Sequence, residues 1–178
     1  MSVVLRRAEP EDALAIATVH VASWQAGYRG IFDDDFLDAL LPEDRAARYD
    51  LGHDDDARPQ TTVALLDGEI VGFATIGLSR DEDLANAGEL MALYVHPAHW
   101  QRGIGHVLLD DATRRLETRG FSLGSLWVLT DNDRAEALYR RAGWQRDGVV
   151  RDETPWGVVA TVRRLLRPLG RGDVASRP

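Results

Sequence analysis

The chain of 178 residues contains no cysteine and no lysine, so all 21 of its basic side chains are arginines. The absence of cysteine excludes disulfide bridges, thiolate metal sites and a covalent cysteine intermediate. The absence of lysine excludes a Walker-type phosphate lysine and a Schiff-base lysine. No set of His, Asp and Glu residues has the spacing of metal ligands, and we therefore expect no metal site.

Long apolar runs are absent as well. No segment approaches the ~20 apolar residues of a membrane span, and the first residues, MSVVLRRAEPED, do not resemble a signal peptide. We therefore expect a cytoplasmic protein with no membrane partner. The net charge of −8 disfavours a nucleic-acid partner, which requires clustered cations. An arginine cluster that would favour one consists of Arg163, Arg164, Arg167 and Arg171.

The length and an apolar content of 44% suit one globular domain, which we place at residues 1–167. A disordered tail rich in glycine, arginine and proline is predicted for residues 168–178. The predicted strands cover residues 3–7, 61–66, 70–76, 90–95, 126–129, 144–150 and 158–165. The predicted helices cover residues 9–30, 36–41, 45–51 and 132–142, with another that begins after the Gly103 turn and is closed by Gly120.

The segment from Glu89 to Leu109 is the most informative part of the chain. An apolar strand ends in a short loop, and the turn Arg102-Gly103-Ile104-Gly105 leads directly into an amphipathic helix. Glycines let the main chain approach a ligand closely, and the free amides of a helix start, including those of Ile104 and His106, bind pyrophosphate. The turn is not a dinucleotide fingerprint, because the third glycine and the ribose-binding acid are missing.

Asn132 and Tyr139 are seven residues apart, which is two helical turns, so they face the same side of a predicted helix. Asn132 either caps the helix and does nothing else or also contacts a ligand. Tyr139 either packs in the core or acts as a general acid, since a phenol has a pKa near 10.

These segments resemble the GNAT superfamily of N-acetyltransferases. The resemblance follows the order of elements over nearly the whole domain and is most specific in Leu93-Tyr94-Val95, the loop 100–105, the Asn132–Tyr139 segment and Gly143-Trp144. Trp100 departs from the family pattern, which has Gln or Arg there; no main-chain amide is lost, so we expect binding to survive. The implied fold is α/β, with a mixed, mostly antiparallel sheet that is splayed between its two central parallel strands and flanked by helices.

The resemblance implies acetyl-coenzyme A as co-substrate, without a metal. Main-chain groups of Leu93 and Val95 would bind the pantetheine arm, with the Leu93 amide donating to the thioester oxygen; Asn132 would contact the same arm and Tyr139 would lie near the sulfur. The residues expected to bind the cofactor are Leu93, Tyr94, Val95, Gln101, Arg102, Gly103, Ile104, Gly105, His106 and Asn132.

Glu89 is the candidate general base, acting through a water, because family members that use such a glutamate carry it six residues before the end of this strand, as Glu89 precedes Val95. The alternative is a solvated residue at the strand end. His20 or His96 would be another choice of base. Without cysteine, the acetyl group is expected to move by direct attack in a ternary complex.

The acceptor is expected to be a primary amine of a small molecule or peptide. Trp24, Tyr28 and Arg29 are candidates for the acceptor side, with core packing as the alternative, and Trp156 is a candidate to close over the acceptor. The acidic residues at 33–35, 54–56 and 81–83 are either solvated or ring the mouth and favour a cation. Dimers are frequent in the family, so a homodimer is predicted. The rival functions are transfer of a longer acyl group and a non-catalytic acyl-coenzyme A sensor, against which Glu89 and Tyr139 argue.

Overall fold

The computed structural model describes residues 3–170 of the chain. Within them, seven strands form one sheet in the order β1-β2-β3-β4-β5-β7-β6. The strands are β1 Val4–Arg7, β2 Gln60–Leu66, β3 Glu69–Leu78, β4 Gly88–Val95, β5 Leu123–Leu129, β6 Gln145–Glu153 and β7 Ala160–Pro168. The helices are α1 Ala13–Gly27, α2 Asp34–Asp38, α3 Pro42–Ala46, α4 Ile104–Thr118 and α5 Asp133–Arg141. No helix in this part of the chain has both the length and the apolar character to cross a membrane.

The sheet is antiparallel except where β4 and β5 run parallel. These two strands pair only between Gly88–Leu90 and Gly124–Leu126, and beyond Leu90 they separate. The splayed, mostly antiparallel sheet implied by the resemblance is therefore confirmed. The gap between the two strands is the feature that positions the site.

A β-bulge at Met91 marks the point where the two strands part. In the pairing of β3 with β4, Ile76 lies opposite Leu90 and Thr75 opposite Ala92, which leaves Met91 without a partner. The extra residue bends the strand and reverses its alternation. Leu90 therefore packs on the face covered by α4, whereas Ala92 and Tyr94 pack on the face covered by α1. Alternation from Leu90 places Glu89 on the α1 face as well.

The two helix layers bury opposite faces of the sheet. Ile16 and Val19 of α1 pack with Val63 and Phe73, and Leu108 of α4 belongs to the larger cluster on the other face. The helix α4 begins after Gly103, which has a φ of 81°, and Gly120 follows its end with a φ of 87°. A side chain is disfavoured at such angles, so glycine marks both ends.

Several predicted boundaries differ from the observed ones. The short helices α2 and α3 begin earlier than predicted, because the Asp33 side chain accepts a hydrogen bond from the Phe36 amide and Pro42 occupies the first turn of α3. At the other end, β7 runs through Pro168 and Leu169 is buried, so the fold continues past the predicted limit of residue 167. The remainder of the predicted tail, residues 171–178, lies outside the described residues.

Candidate active site

A cavity of about 970 Å³ opens where β4 and β5 separate, and residues from both faces of the sheet line it. All of the predicted site residues line this cavity except Arg29 and Arg102. Arg29 instead forms ion pairs with Asp34 and Asp38, and Arg102 is exposed. We call the wall formed by residues 99–106, Leu93, Val95 and α5 the donor half. The acceptor half is the wall on the α1 face.

Free backbone amides are the main feature of the donor half. Among the described residues, the amides of residues 101–105 find no hydrogen-bond partner. Gln101 and Gly103 both have left-handed backbone angles, with φ of 61° and 81°. Alternation of this kind turns successive N–H groups towards one side and forms an anion-binding concavity. A Cβ atom built on Gly103 would meet no atom within 4 Å, so the space in front of the turn is open.

The His106 amide does not belong to this set, which corrects the prediction. It donates to the Gly103 carbonyl over 3.0 Å, as the first bond of α4. A helix start leaves only its first few N–H groups without partners, and the tight turn at Gly103 already satisfies this one. The His106 side chain still lines the cavity.

The main chain of β4 presents two amides to the gap. The His96 amide donates to the Val71 carbonyl of β3 over 2.8 Å, and alternation along the strand then directs the Leu93 and Val95 amides away from β3. The Val95 carbonyl already accepts hydrogen bonds from the Ser23 hydroxyl at 2.9 Å and the Trp100 indole at 2.6 Å. Tyr94 pairs with β3 through its backbone and turns its ring to the acceptor half.

Trp100 has a structural role that explains the departure from the family pattern. Its indole N–H anchors the loop to the Val95 carbonyl, and the Arg134 guanidinium carbon lies 3.4 Å from the centroid of its ring. This cation–π contact holds a cation against the donor half. Arg134 therefore supplies a positive charge to the donor half, although position 100 lacks the polar side chain of the family pattern. The sequence pattern did not point to Arg134.

The two residues predicted on α5 occupy the same wall. The Asn132 side chain accepts a hydrogen bond from the Ala135 amide at 3.1 Å, so it caps the helix, and it also lines the cavity. Tyr139 is buried and also lines the cavity. Burial, together with the neighbouring Tyr94, raises the pKa of the Tyr139 hydroxyl well above its ordinary value, so this group keeps its proton.

Glu89 lies at the narrow end of the gap and is only 1% exposed, so the alternative of a solvated strand end is wrong. Arg80 holds both carboxylate oxygens. Its backbone amide donates to Oε2 at 3.0 Å, and its Nη2 atom lies 2.5 Å from Oε1. A buried carboxylate held by three donors, the third being the Arg80 Nε atom at 3.3 Å, has a fixed orientation.

Aromatic rings form the acceptor half. The Trp24 ring stacks on Trp156 with centroids 5.1 Å apart, and its indole N–H donates to the Tyr94 hydroxyl at 3.2 Å. The centroid of the His20 ring lies 4.2 Å from that of Tyr94 and 5.2 Å from that of Trp156. Trp156 has a left-handed φ of 56°, which is unusual for a large side chain and directs its ring over the cavity.

The two histidines considered as alternative bases lie in different places. His20 lines the cavity, and its Nδ1 atom is 2.7 Å from the Tyr49 hydroxyl. Its Nε2 atom is buried without a partner in the part of the chain that the structure describes. Burial and the nearby charge of Arg45 lower the pKa of His20 well below its ordinary value, so the ring is neutral. His96 is absent from the cavity lining, and its Nδ1 atom accepts from the Ala98 amide.

The cavity does not have the ring of acidic residues at its mouth that was one interpretation of the sequence. Asp81 is buried, where it accepts from the Trp127 indole at 3.0 Å and from Arg151 at 2.6 Å, and Asp83 pairs with Arg164. None of the nine acidic residues at 33–35, 54–56 and 81–83, which are eight aspartates and Glu82, lines the cavity. The charged side chains that line it are Arg45, Arg80, Arg134, Arg141, Arg151, Glu89 and Glu153. Cations therefore outnumber carboxylates in the wall although the chain as a whole is acidic.

Comparisons with known proteins agree with this architecture. The sequence model described as the acetyltransferase (GNAT) family matches residues 23–144. The chain is 33% identical over 133 residues to an uncharacterized N-acetyltransferase of Bacillus subtilis, with 73% of each chain covered. It is 24% identical over 151 residues to the spermidine N(1)-acetyltransferase of Thermoplasma acidophilum, covering 82% of this chain and 89% of that one. The crystal structure of the PaiA N-acetyltransferase from Thermoplasma acidophilum in complex with coenzyme A shares the fold, with a TM-score of 0.71, 21% identity, and coverage of 94% and 99%.

Proposed function

The chain belongs to the acetyltransferase (GNAT) family, and on this premise we propose that it transfers an acetyl group to a primary amine by direct attack in a ternary complex. It is an acetyl-coenzyme A-dependent acyltransferase, as its family is. The observation that carries the proposal is the set of free amides at residues 101–105, next to a gap into which the Leu93 and Val95 amides point.

The residues of the donor half fit acetyl-coenzyme A, which supplies the acetyl group as a thioester. The concavity at residues 101–105 suits a diphosphate, because its amides are unpaired and α4 adds its positive dipole end. Arg134 and Arg141 contribute positive charge to the same wall. The amides of Leu93 and Val95 suit an extended arm with peptide-like groups, which would bind as an added strand.

Each catalytic residue has a distinct task in the proposal. The Leu93 amide stabilises developing negative charge on oxygen, as donors of an oxyanion hole do. Glu89 accepts a proton from the acceptor ammonium through a water, and Arg80 orients its carboxylate. Tyr139 holds a proton at its hydroxyl, because burial raises its pKa, and donates it to the leaving group. A cytoplasmic location, a single domain and a homodimer remain predictions from the sequence.

A test of the reaction mixes the protein and acetyl-coenzyme A with a panel of primary amines and measures free thiol. We expect thiol release that depends on both protein and amine, and faster with acetyl-coenzyme A than with longer acyl-coenzyme A substrates. Tight binding of acetyl-coenzyme A without thiol release for any amine would contradict transfer and leave a binding module. A preference for a longer acyl chain would replace the acetyl group in the proposal.

Glu89→Gln tests the base. We expect turnover to fall roughly 10²–10⁴-fold, the usual contribution of general base catalysis, while donor affinity changes by no more than about threefold, since such a change is under 1 kcal/mol. Glu153→Gln is the matched control, because Glu153 also lines the cavity and also pairs with an arginine, Arg151. Steady-state kinetics with donor titration makes the comparison. Turnover of Glu89→Gln equal to that of the control would remove Glu89 as the base.

A further inference from the structure

Three arginines line the acceptor half, and two of them are neutralised by carboxylates. Arg80 pairs with Glu89, and Arg151 pairs with Asp81 and Glu153. Arg45, at the end of α3, forms no ion pair with any residue of the described range. Its charge in the cavity wall is therefore left without a partner.

The surroundings of Arg45 hold its guanidinium in place without neutralising its charge. The guanidinium carbon lies 5.2 Å from the centroid of the Tyr49 ring and 5.1 Å from that of Trp156. Contacts with aromatic faces orient a guanidinium group but leave its in-plane N–H donors available. The Nε atom of Arg45 is buried and has no hydrogen-bond partner among the described residues. A buried donor of this kind normally has a partner, so this N–H is a donor that a bound ligand could satisfy.

A second unpartnered atom lies in the same wall. The Nε2 atom of His20 is buried and forms no hydrogen bond within residues 3–170, and its ring packs against Trp156, the same side chain that covers Arg45. Burial is the main cause of the lowered pKa of His20, and the positive charge of Arg45 lowers it further, so the two side chains lie close together. Around these polar atoms, the rings of Trp24, Tyr94 and Trp156 offer apolar surface.

Building on the proposed function, we propose that Arg45 binds an acidic group of the amine acceptor, so that the preferred substrates are amino-acid-like. Such an acceptor carries a carboxylate or a phosphorus oxyacid besides its amine and has an apolar body. The planar fork of an arginine matches both kinds of oxyanion through paired hydrogen bonds. The rings of the acceptor half would contact the apolar body. A polyamine would instead bring a second ammonium towards Arg45, and like charges repel.

The test compares acceptors that share an amine and a ring but differ in the acidic group. The probes are phenylalanine, its phosphonic acid analogue and phenethylamine, with spermidine as a polycationic probe. We expect kcat/KM for at least one acidic probe to exceed that for phenethylamine and for spermidine by about tenfold or more, because one charge-assisted contact is worth at least that factor. The two acidic probes distinguish a carboxylate from a phosphorus oxyacid.

Variants at position 45 assign the preference to the guanidinium. Arg45→Gln is expected to remove the tenfold preference, mainly through a higher KM for the acidic probe, and to leave kcat/KM for phenethylamine within about threefold. Arg45→Lys is expected to restore part of the preference, because it restores the charge without the fork. Arg48→Gln is the matched control, since Arg48 is exposed three residues further on and does not line the cavity. Equal losses for acidic and neutral probes would overturn the inference.

A binding measurement separates this inference from the proposed function. Calorimetry with coenzyme A bound reports the affinity for phenylalanine and its phosphonic acid analogue without any turnover. Arg45-dependent binding of an acidic probe, with no thiol release for any amine of the panel, would support the anion site and contradict amine acetylation by the enzyme. Thiol release that ignores both the acidic group and Arg45 would support acetylation and overturn the anion site. Absence of acidic-probe binding and turnover in the folded wild-type protein also overturns it.

Discussion

The two halves of the cavity are built in different ways. The donor half takes its polar groups from the main chain of residues 101–105 and of β4, with Trp100 and Arg134 as supports. The acceptor half takes its polar groups from side chains. They come from segments far apart in the sequence: α1, α3, β4, β5 and the connection between β6 and β7.

The difference lies in what each half requires of the sequence. A main-chain site needs one backbone shape, which a few glycines permit, so many side chains are compatible with it. A side-chain site needs particular residues at several positions, and each can change without unfolding the others. The donor half therefore suits a cofactor shared by a whole family, and the acceptor half suits a substrate that differs between its members.

Gly103→Val gives the largest effect that we expect on the donor half. Valine disfavours the φ of 81° at this position, and its side chain would enter the open space in front of the free amides. Loss of two charge-assisted hydrogen bonds to a diphosphate costs about 4 kcal/mol, or roughly 1,000-fold in affinity for acetyl-coenzyme A. Calorimetric titration measures the change.

Gly68→Val separates the effect of the site from that of the backbone. Gly68 has a similar φ of 88°, and a Cβ there also meets nothing within 4 Å, but the residue lies in the turn between β2 and β3. We expect both variants to lose similar stability, about 1–2 kcal/mol for a left-handed residue, and only Gly103→Val to lose donor affinity. Affinity of Gly103→Val within a few-fold of wild type would remove the loop as the phosphate site.

Much of the fold could be predicted from local patterns. The dipeptide Asp67-Gly68 between two apolar strands is typical of a hairpin, as β2 and β3 form, and both residues have the positive φ that this turn requires. Gly103 and Gly120 predicted both ends of α4. Each of these signals acts within a few residues, so the sequence contains the whole cause.

Features that depend on distant partners could not be predicted in the same way. The sequence around Asp81 is typical of a solvated loop, yet Asp81 is buried by contacts with Trp127, Arg151 and Arg164, which are 46 to 83 residues away. The bulge at Met91, which places Glu89 and Tyr94 on one face, depends on the pairing with β3. Arg45 gave no signal, because an arginine in a polar helix is usually solvated. Only the three-dimensional arrangement shows that its charge is uncompensated.

Tyr139→Phe tests the proposed general acid of the donor half. We expect a smaller effect than for Gly103→Val. Removing the hydroxyl proton should lower kcat by up to about 100-fold and leave donor affinity within a few-fold. Tyr28→Phe removes a buried hydroxyl from the acceptor half, where burial also raises the pKa, and should change the acceptor KM rather than kcat. Because the Tyr139 pKa lies above its ordinary value of 10, its acid form should persist up to about pH 10. Equal kcat for Tyr139→Phe and wild type would contradict the acid role.

The pH dependence of stability gives the smallest effect and concerns the acceptor half alone. Burial and Arg45 lower the pKa of folded His20 well below its ordinary value of 6.5. The unfolded chain therefore binds a proton below about pH 6.5 that the folded chain does not. The contribution of His20 to stability is full above this pH and falls as the pH decreases through it, by up to about 1.4 kcal/mol per pH unit.

His20→Gln should reduce this slope of stability against pH, measured by chemical unfolding between about pH 7.5 and pH 5.5. Burial and His99 also lower the pKa of His96, but His96 contributes equally to the wild type and to His20→Gln. The difference between the slopes of these two proteins therefore isolates the contribution of His20. Identical slopes would mean that His20 is not held neutral in the folded protein.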